Sequence, residues 1–377
     1  MRVLLVWPNC DIADAAGVRG VVFARVWRDL GAEVVFVTHS AKPNLPTDVP
    51  VRFLRLFHEP SDALHLLTSG RALRKVIRDS RADVLVTSSP PATVAWQAAR
   101  AARAEGVPLI VDVRDLATQS LRAVTGPKLR YYVLDRMEQV AYRTAARLMA
   151  VSGIMADVLR DGYHVPPDCI ALVPNGSMPF DVPRREKDID GVFVGYFHDA
   201  GRRPRDLIEA LCCVHATRPG SRFAFVGWKP SPFAETLAKA LREGGVRADL
   251  VPPVPREEVG PWMARAKVGL ISLADHPVFR TAVGAKTYEY LRAGLPVAAL
   301  GVSGDSELRR LIEGEGVGVF SADVGEFAAQ LAALLSNEAR LGALSQRALE
   351  VGARYDRRAI AQRAYREVVE PVSRRGA

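Results

Sequence analysis

The chain has 377 residues, 49% of them hydrophobic and 25% charged, which suits two to three domains with sizeable cores. Its four cysteines make no C-x-x-C pair and no zinc-like spacing, and no apolar stretch is long enough, free of charge, to span a membrane, so a reducing cytoplasm, no structural metal and no transmembrane segment are expected. Net charge is +9 but is divided almost evenly between the two halves, so neither half reads as a nucleic-acid module and no nucleic-acid partner is expected.

The opening apolar run ends at Pro8, too soon for a signal-peptide core, and reads as a first strand. From there short β-branched runs alternate with helical patterns: 3–7, 33–38, 51–56, 83–88, 108–113, 147–152 and 169–174 read as strands. Continuous apolar strands separated by helices predict a parallel sheet covered on both faces. Residues 174–190 are rich in proline, turn residues and charge, the composition of a linker. A second series follows at 191–197, 223–228, 248–254, 268–273, 295–300 and 316–320. The expected fold class is therefore α/β, with two doubly wound, Rossmann-like domains facing across a cleft. The domains are set at 1–176 and 191–356, with a linker at 177–190 and a last helix in 357–377 that has no place in the second sheet. In such sheets ligands bind beyond the carboxyl ends of the strands, so the loops there are the candidates.

In the helix ending near Ser80, Arg71, Arg74, Lys75 and Arg78 share one face. That stripe reads either as a solvated helix face or as a binding face for anionic lipid headgroups. Near the other end, GAKTYEYLRAGLPVAAL (284–300) joins a glycine-led turn, a short helix and a buried strand. The free N–H groups of a helix start, together with Lys286, suit a phosphate. Glu289, one turn deeper, has the acceptors for a ribose diol.

This segment resembles the nucleotide-sugar signature of GT-B glycosyltransferases, specifically glycosyltransferase family 4 (group 1), and the order of strands extends the resemblance over nearly the whole chain. It implies a GT-B fold and transfer of a sugar from a nucleoside-diphosphate sugar, with UDP-sugar as the expected donor and retention at the anomeric carbon. It also implies that the last helix crosses back to the first domain, and that Gly284, Thr287 and Val283 line the nucleotide site beside Lys286 and Glu289. No D-x-D dipeptide is present, so neither a metal nor another cofactor is expected, and cations are left to neutralise the leaving diphosphate.

Other segments match the family less specifically. After the first strand, Gly17, Arg19 and Gly20 resemble its glycine-bearing loop facing acceptor and donor phosphate, although a glycine-containing helix entry explains them as well. The string VDVRDL (111–116) looks like the D-x-R-D-L segment of the bacterial polysaccharide branch. There Arg114 would bind the donor sugar or its phosphate and Asp115 would position the acceptor hydroxyl, the alternative being an internal Arg–Asp pair that pins the loop. Ser152 is read as a helix cap. In the second half Tyr196 stands where the family carries an arginine. Arg203, and after it Arg202, is then expected to act on the diphosphate, with His198 as a loop contact. Val254, beside Pro253, would meet the nucleobase through its main chain. Thr281 replaces the family's usual glutamate, a role Asp275 could take instead.

The resemblance also implies an acceptor that can be lipid-linked, hence a cytoplasmic enzyme with peripheral contact at an anionic inner membrane face, serving cell-surface polysaccharide or glycosylated natural-product synthesis. Two other functions share the fold: a nucleotide-sugar 2-epimerase, using Asp112, Asp115 and His198 as acid/base groups, and a pseudo-enzyme or binding subunit that has lost turnover.

Overall fold

The computed structural model describes all residues except 11–14, 41–45, 47, 55–65, 179–181, 184, 197–200 and 375–377. The chain divides into two compact units, Met1–Asn175 with Arg357–Ala377, and Gly176–Asp356.

The first unit contains β1 (Arg2–Asn9), β2 (Glu33–Ser40), β3 (Val51–Phe53), β4 (Val84–Ser89), β5 (Leu109–Val113), β6 (Arg147–Ala150) and β7 (Ile170–Leu172). All pair in parallel, in the order β3-β2-β1-β4-β5-β6-β7. Strand order reverses between β1 and β4, where Leu5 registers with Phe36 on one side and Val86 on the other. Every residue of β4 and β5 is buried, as an internal parallel strand covered on both faces must be. The cover comes from α1 (Ala15–Asp29), α2 (Leu66–Ser80), α3 (Ala92–Glu105), α4 (Ala117–Thr125), α5 (Leu129–Thr144) and α6 (Gly153–Asp161). Ser152 caps α6 by accepting from the Met155 N–H, as its position before an apolar helix predicts.

The second unit holds β8 (Ile189–Val194), β9 (Arg222–Val226), β10 (Arg247–Val251), β11 (Ala266–Ser272), β12 (Val297–Leu300) and β13 (Gly318–Ser321), parallel in the order β10-β9-β8-β11-β12-β13. Its helices are α7 (Pro204–Thr217), α8 (Pro232–Glu243), α9 (Val259–Arg265), α10 (Ala285–Arg292), α11 (Glu307–Glu315), α12 (Val324–Leu335) and α13 (Glu338–Arg354). Here the reversal lies between β8 and β11, so the chain leaves the sheet in opposite directions at Gly195 and after Ser272.

Helix α14 (Arg357–Ala364), a π-helical turn (Tyr365–Val369) and a final turn (Glu370–Arg374) return to the first unit. Trp27 of α1, fully buried, donates from its indole to the Ala361 carbonyl at 2.9 Å. Arg357 donates to the Asn175 carbonyl at 2.9 Å. These two bonds satisfy donors that would be costly to bury alone.

Candidate active site

In the second unit the carboxyl edge of the sheet is shaped by glycine and tyrosine. Gly195 follows β8 with φ +113°, and a Cβ there would stand 3.2 Å from the Lys286 Nζ. Only glycine supplies both the backbone angle and the room for the ammonium. Tyr290 lies one helical turn beyond Lys286. Its hydroxyl accepts from the Val194 N–H at 2.8 Å and is placed to donate to the Val192 or Leu270 carbonyl. A Cβ at Gly269 would meet that ring at 2.4 Å. So α10 is pinned flat against β8 and β11, and this aims its first turn at the strand ends.

Lys286 Nζ sits 3.9 Å from the centre of the Phe193 ring. Its pKa is held well below the usual lysine value, first by desolvation and then by the Arg202 charge, with Glu289 opposing. Arg202 is likewise lowered by burial, and among the described residues its hydrogen bonding is one long contact to the Ser272 carbonyl. Among the described residues no carboxylate lies within ion-pair distance of either cation. Gly284 precedes α10 without a side-chain cap; the Thr287 N–H turns back to the Gly284 carbonyl at 3.0 Å, which leaves the Ala285 and Lys286 N–H groups without a partner among the described residues. Two crowded, desolvated cations at an uncapped helix start make a site that gains by taking up an anion.

Arg203, the expected diphosphate contact, is committed elsewhere. Its Nε binds Asp206 at 2.6 Å, its Nη1 binds the Ala322 carbonyl at 2.7 Å, and its backbone exchanges hydrogen bonds with Ser272. A cation at a helix start opposes the dipole, and the Asp206 carboxylate in the first turn of α7 relieves that conflict. The structure therefore favours Arg202 over Arg203 beside Lys286.

Glu289 is paired as well: its Oε1 accepts from Arg256 Nη2 at 2.8 Å. Arg256 went unremarked in the sequence because it lies 33 positions away in a charged turn. Around this core Thr281, Val283 and Thr287 are buried, Thr287 having a hydroxyl with no hydrogen-bond partner among the described residues. Val254 is partly buried against the core beneath. Tyr196 is exposed, with the Lys229 ammonium 5.0 Å from its ring centre. Asp275 accepts from the Ser303 N–H and hydroxyl, one on each carboxylate oxygen, so as a stand-in for the missing glutamate it would act from a position held by Ser303. His198 lies outside the described residues.

In the first unit the expectation for Arg19 is corrected. It is 2% exposed, forks onto both oxygens of Asp112 at 2.7 and 2.8 Å, and also binds the Val173 and Pro174 carbonyls. With four of its five donors used inside the protein and the side chain 2% exposed, the guanidinium is not presented to a phosphate, and Asp112, buried beneath it, is equally unavailable for acid/base work. Gly17 is buried within α1, and Gly20 faces the Trp7 indole, where a Cβ would come within 2.9 Å. Its small size thus serves helix-to-sheet packing. Arg114 reaches the other way, to the Ser88 hydroxyl at 2.7 Å and the Pro90 carbonyl at 3.0 Å, so the internal pair in this loop is Arg19–Asp112, not Arg114–Asp115. Asp115 keeps an exposed carboxylate whose pKa is raised, partial desolvation outweighing the Leu116 N–H and the Arg114 charge. Below it, buried Glu138 accepts from the Tyr163 hydroxyl at 3.2 Å and is pushed up to about 7, chiefly by desolvation. On α2 the cationic stripe is partly neutralised, since Arg74 and Arg78 both pair with Glu105.

Two parallel, doubly wound units, the second with an anion-ready helix start at its switch point, are the architecture of GT-B glycosyltransferases. Residues 17–176 match a family model described as a Glycosyl transferase 4-like domain, and residues 189–337 match one described as Glycosyl transferases group 1. The chain belongs to these glycosyltransferases and is an enzyme of that type. It is 28% identical to a D-inositol 3-phosphate glycosyltransferase from Thermobispora bispora, over 97% of this chain and 93% of the relative. Among solved structures it resembles HepE from Anabaena, crystallised with UDP, at a TM-score of 0.74 and 16% identity, covering 98% of this chain and 100% of that one. A sucrose-phosphate synthase from Thermosynechococcus elongatus matches at 0.71 and 16% identity, with the same coverage of both chains. At these identities the two structures speak to fold alone.

Proposed function

We propose that this enzyme transfers a sugar from a uridine-diphosphate sugar to an acceptor hydroxyl, with retention at the anomeric carbon. The observation that carries the reading is the pair Lys286 and Arg202, desolvated and without a carboxylate partner among the described residues, beside the uncapped start of α10. A diphosphate placed there accepts hydrogen bonds from the first-turn N–H groups and brings negative charge to both cations. As the bond from the anomeric carbon to the diphosphate oxygen breaks, charge grows on that oxygen, where Lys286 and Arg202 stabilise it. The acceptor oxygen forms the new bond and its proton passes to the leaving diphosphate, so no enzyme carboxylate acts as nucleophile. Glu289 takes the ribose hydroxyls, and Arg256 keeps its carboxylate turned to the site. Arg114 and Asp115 serve the sugar and acceptor side, Asp115 orienting the acceptor hydroxyl. The choice of uridine is supported by the UDP held by HepE. A polyol acceptor is compatible with the inositol phosphate relative. We place the enzyme in the cytoplasm, serving surface-polysaccharide or glycosylated natural-product synthesis.

The test is calorimetric titration with UDP and other nucleoside diphosphates. Glu289→Ala should weaken UDP binding by about 1–3 kcal/mol, the scale of lost hydrogen bonds to a charged group, and an unchanged affinity in a folded variant rejects the ribose role. Incubation with UDP-glucose or UDP-N-acetylglucosamine alone should yield slow hydrolysis. An epimerised donor would point to a 2-epimerase instead.

A further inference from the structure

Among the described residues, most of the large apolar side chains that are exposed belong to one short stretch: Leu121, Val124, Leu129, Tyr132, Val133 and Val140, from 44% exposed at Leu121 to 81% at Leu129. Leu129, Tyr132, Val133 and Val140 follow helical spacing on one face of α5. Leu121 and Val124 stand on the last turns of α4, which a tight connection, Gly126–Lys128, joins to α5. Exposed cations are interleaved with them at Arg122, Lys128, Arg130 and Arg136, and none is ion-paired among the described residues. No acidic residue occurs between Asp115 and Asp135.

The knuckle is braced as a unit. The Arg122 guanidinium lies 5.2 Å from the Tyr132 ring centre, tying α4 to α5. The Thr125 hydroxyl meets the Tyr131 hydroxyl at 2.7 Å, and Arg130 reaches the same oxygen at 2.8 Å. Leu129 is therefore held outward by its neighbours.

Extending the proposed function to its partner, and resting on that reading only for the identity of the reaction, we propose that the α4–α5 knuckle is the docking surface for an anionic lipid bilayer. A bilayer surface accepts both components at once: its interface takes up apolar and aromatic side chains while its headgroups attract lysine and arginine. A second copy of this chain fits poorly, because a two-fold contact over the patch sets Arg122, Lys128 and Arg130 against their own counterparts. The cationic stripe of α2 is less suited, having two of its four charges bound by Glu105 and no comparable apolar cluster among the described residues. Helix α4 begins two residues after Asp115, so docking here brings the membrane to the element that follows the acceptor-side loop. A lipid-linked acceptor would reach Asp115 without leaving the bilayer.

The experiment is co-sedimentation of the full chain with vesicles of phosphatidylcholine, with and without phosphatidylglycerol, at low and near-physiological salt, with UDP affinity measured on the same samples. Wild type should pellet with the anionic vesicles and stay in solution with the neutral ones. The triple variant Arg122→Gln, Lys128→Gln, Arg130→Gln should lose at least about tenfold in vesicle affinity, from three charges near the surface. Leu129→Ser with Val133→Ser should lose the fraction of binding that survives physiological salt. Arg71→Gln with Lys75→Gln should change neither, and UDP binding should be the same in every variant. Absence of binding to anionic vesicles, indifference to the knuckle variants, or a concentration-dependent dimer abolished by Leu129→Ser would each overturn the proposal. Vesicle binding in a protein that ignores UDP would leave it standing and reject the donor assignment instead.

Discussion

Lys286 holds its ammonium against the face of Phe193, 3.9 Å from the ring centre, with the Arg202 charge close enough to depress it further. The ring offers some attraction to a cation, less than the water it displaces.

Between its depressed pKa and the usual lysine value of 10.5, Lys286 is neutral in the folded protein and charged in the unfolded one, so stability rises with pH across that window. On the proposed reading, diphosphate binding restores the charge. Calorimetry in buffers of different ionisation enthalpy should therefore show proton uptake when UDP binds at a pH above the depressed value, and affinity should fall as pH rises. Lys286→Met should remove the uptake and lower turnover by about 10²-fold.

Arg202 and Arg203 should separate cleanly. Arg202→Gln should reduce kcat/KM and UDP affinity with little effect on the denaturation midpoint. Arg203→Gln should destabilise by about 1–2 kcal/mol, losing its bonds to Asp206 and to the Ala322 carbonyl, while turnover by the folded fraction is kept. A reversed pattern would return the diphosphate role to Arg203.

Arg19→Met should destabilise by about 3–5 kcal/mol, because it strands Asp112 as a buried, unpaired carboxylate. Arg19→Met combined with Asp112→Leu should recover much of that loss in urea titrations. A single variant no worse than the double would contradict the pairing.

Glu138 should make stability fall as pH rises from its ordinary value of 4.5 to about 7, since over that range the folded protein binds the proton and the unfolded chain does not. Glu138→Gln should flatten this part of the curve, with a difference approaching about 3 kcal/mol above it. Thermal denaturation across a pH series measures it.

Thirteen apolar runs in the sequence correspond to the thirteen strands among the described residues; for the nine internal ones the reason is that a parallel strand covered on both faces needs unbroken hydrophobicity, while the edges β3, β7, β10 and β13 were marked by their shorter runs between turn residues. The helix that carries the proposed anion site was legible for a local reason: Lys286 and Glu289 lie within one helical turn, so spacing alone places them together. Arg19 was misread because its partner is 93 positions away, and a glycine beside Trp7 looks, in sequence, like a glycine beside a ligand. Arg256 and the Tyr290 hydroxyl escaped because their roles depend on what the sheet brings near them. Arg203 is instructive in another way, since Asp206 three residues on was visible all along as a partner on the same helical face.

The order of synthesis gives the last segment a particular weight. Residues 176–356 form a complete sheet of their own, whereas the first unit waits for α14, made after all of them, before the Trp27 indole and the Asn175 carbonyl find their partners. The unit translated earlier is thus finished later, and a released chain truncated at Asp356 would hold one mature lobe and one with an open seam along α1 for chaperones or proteases to find.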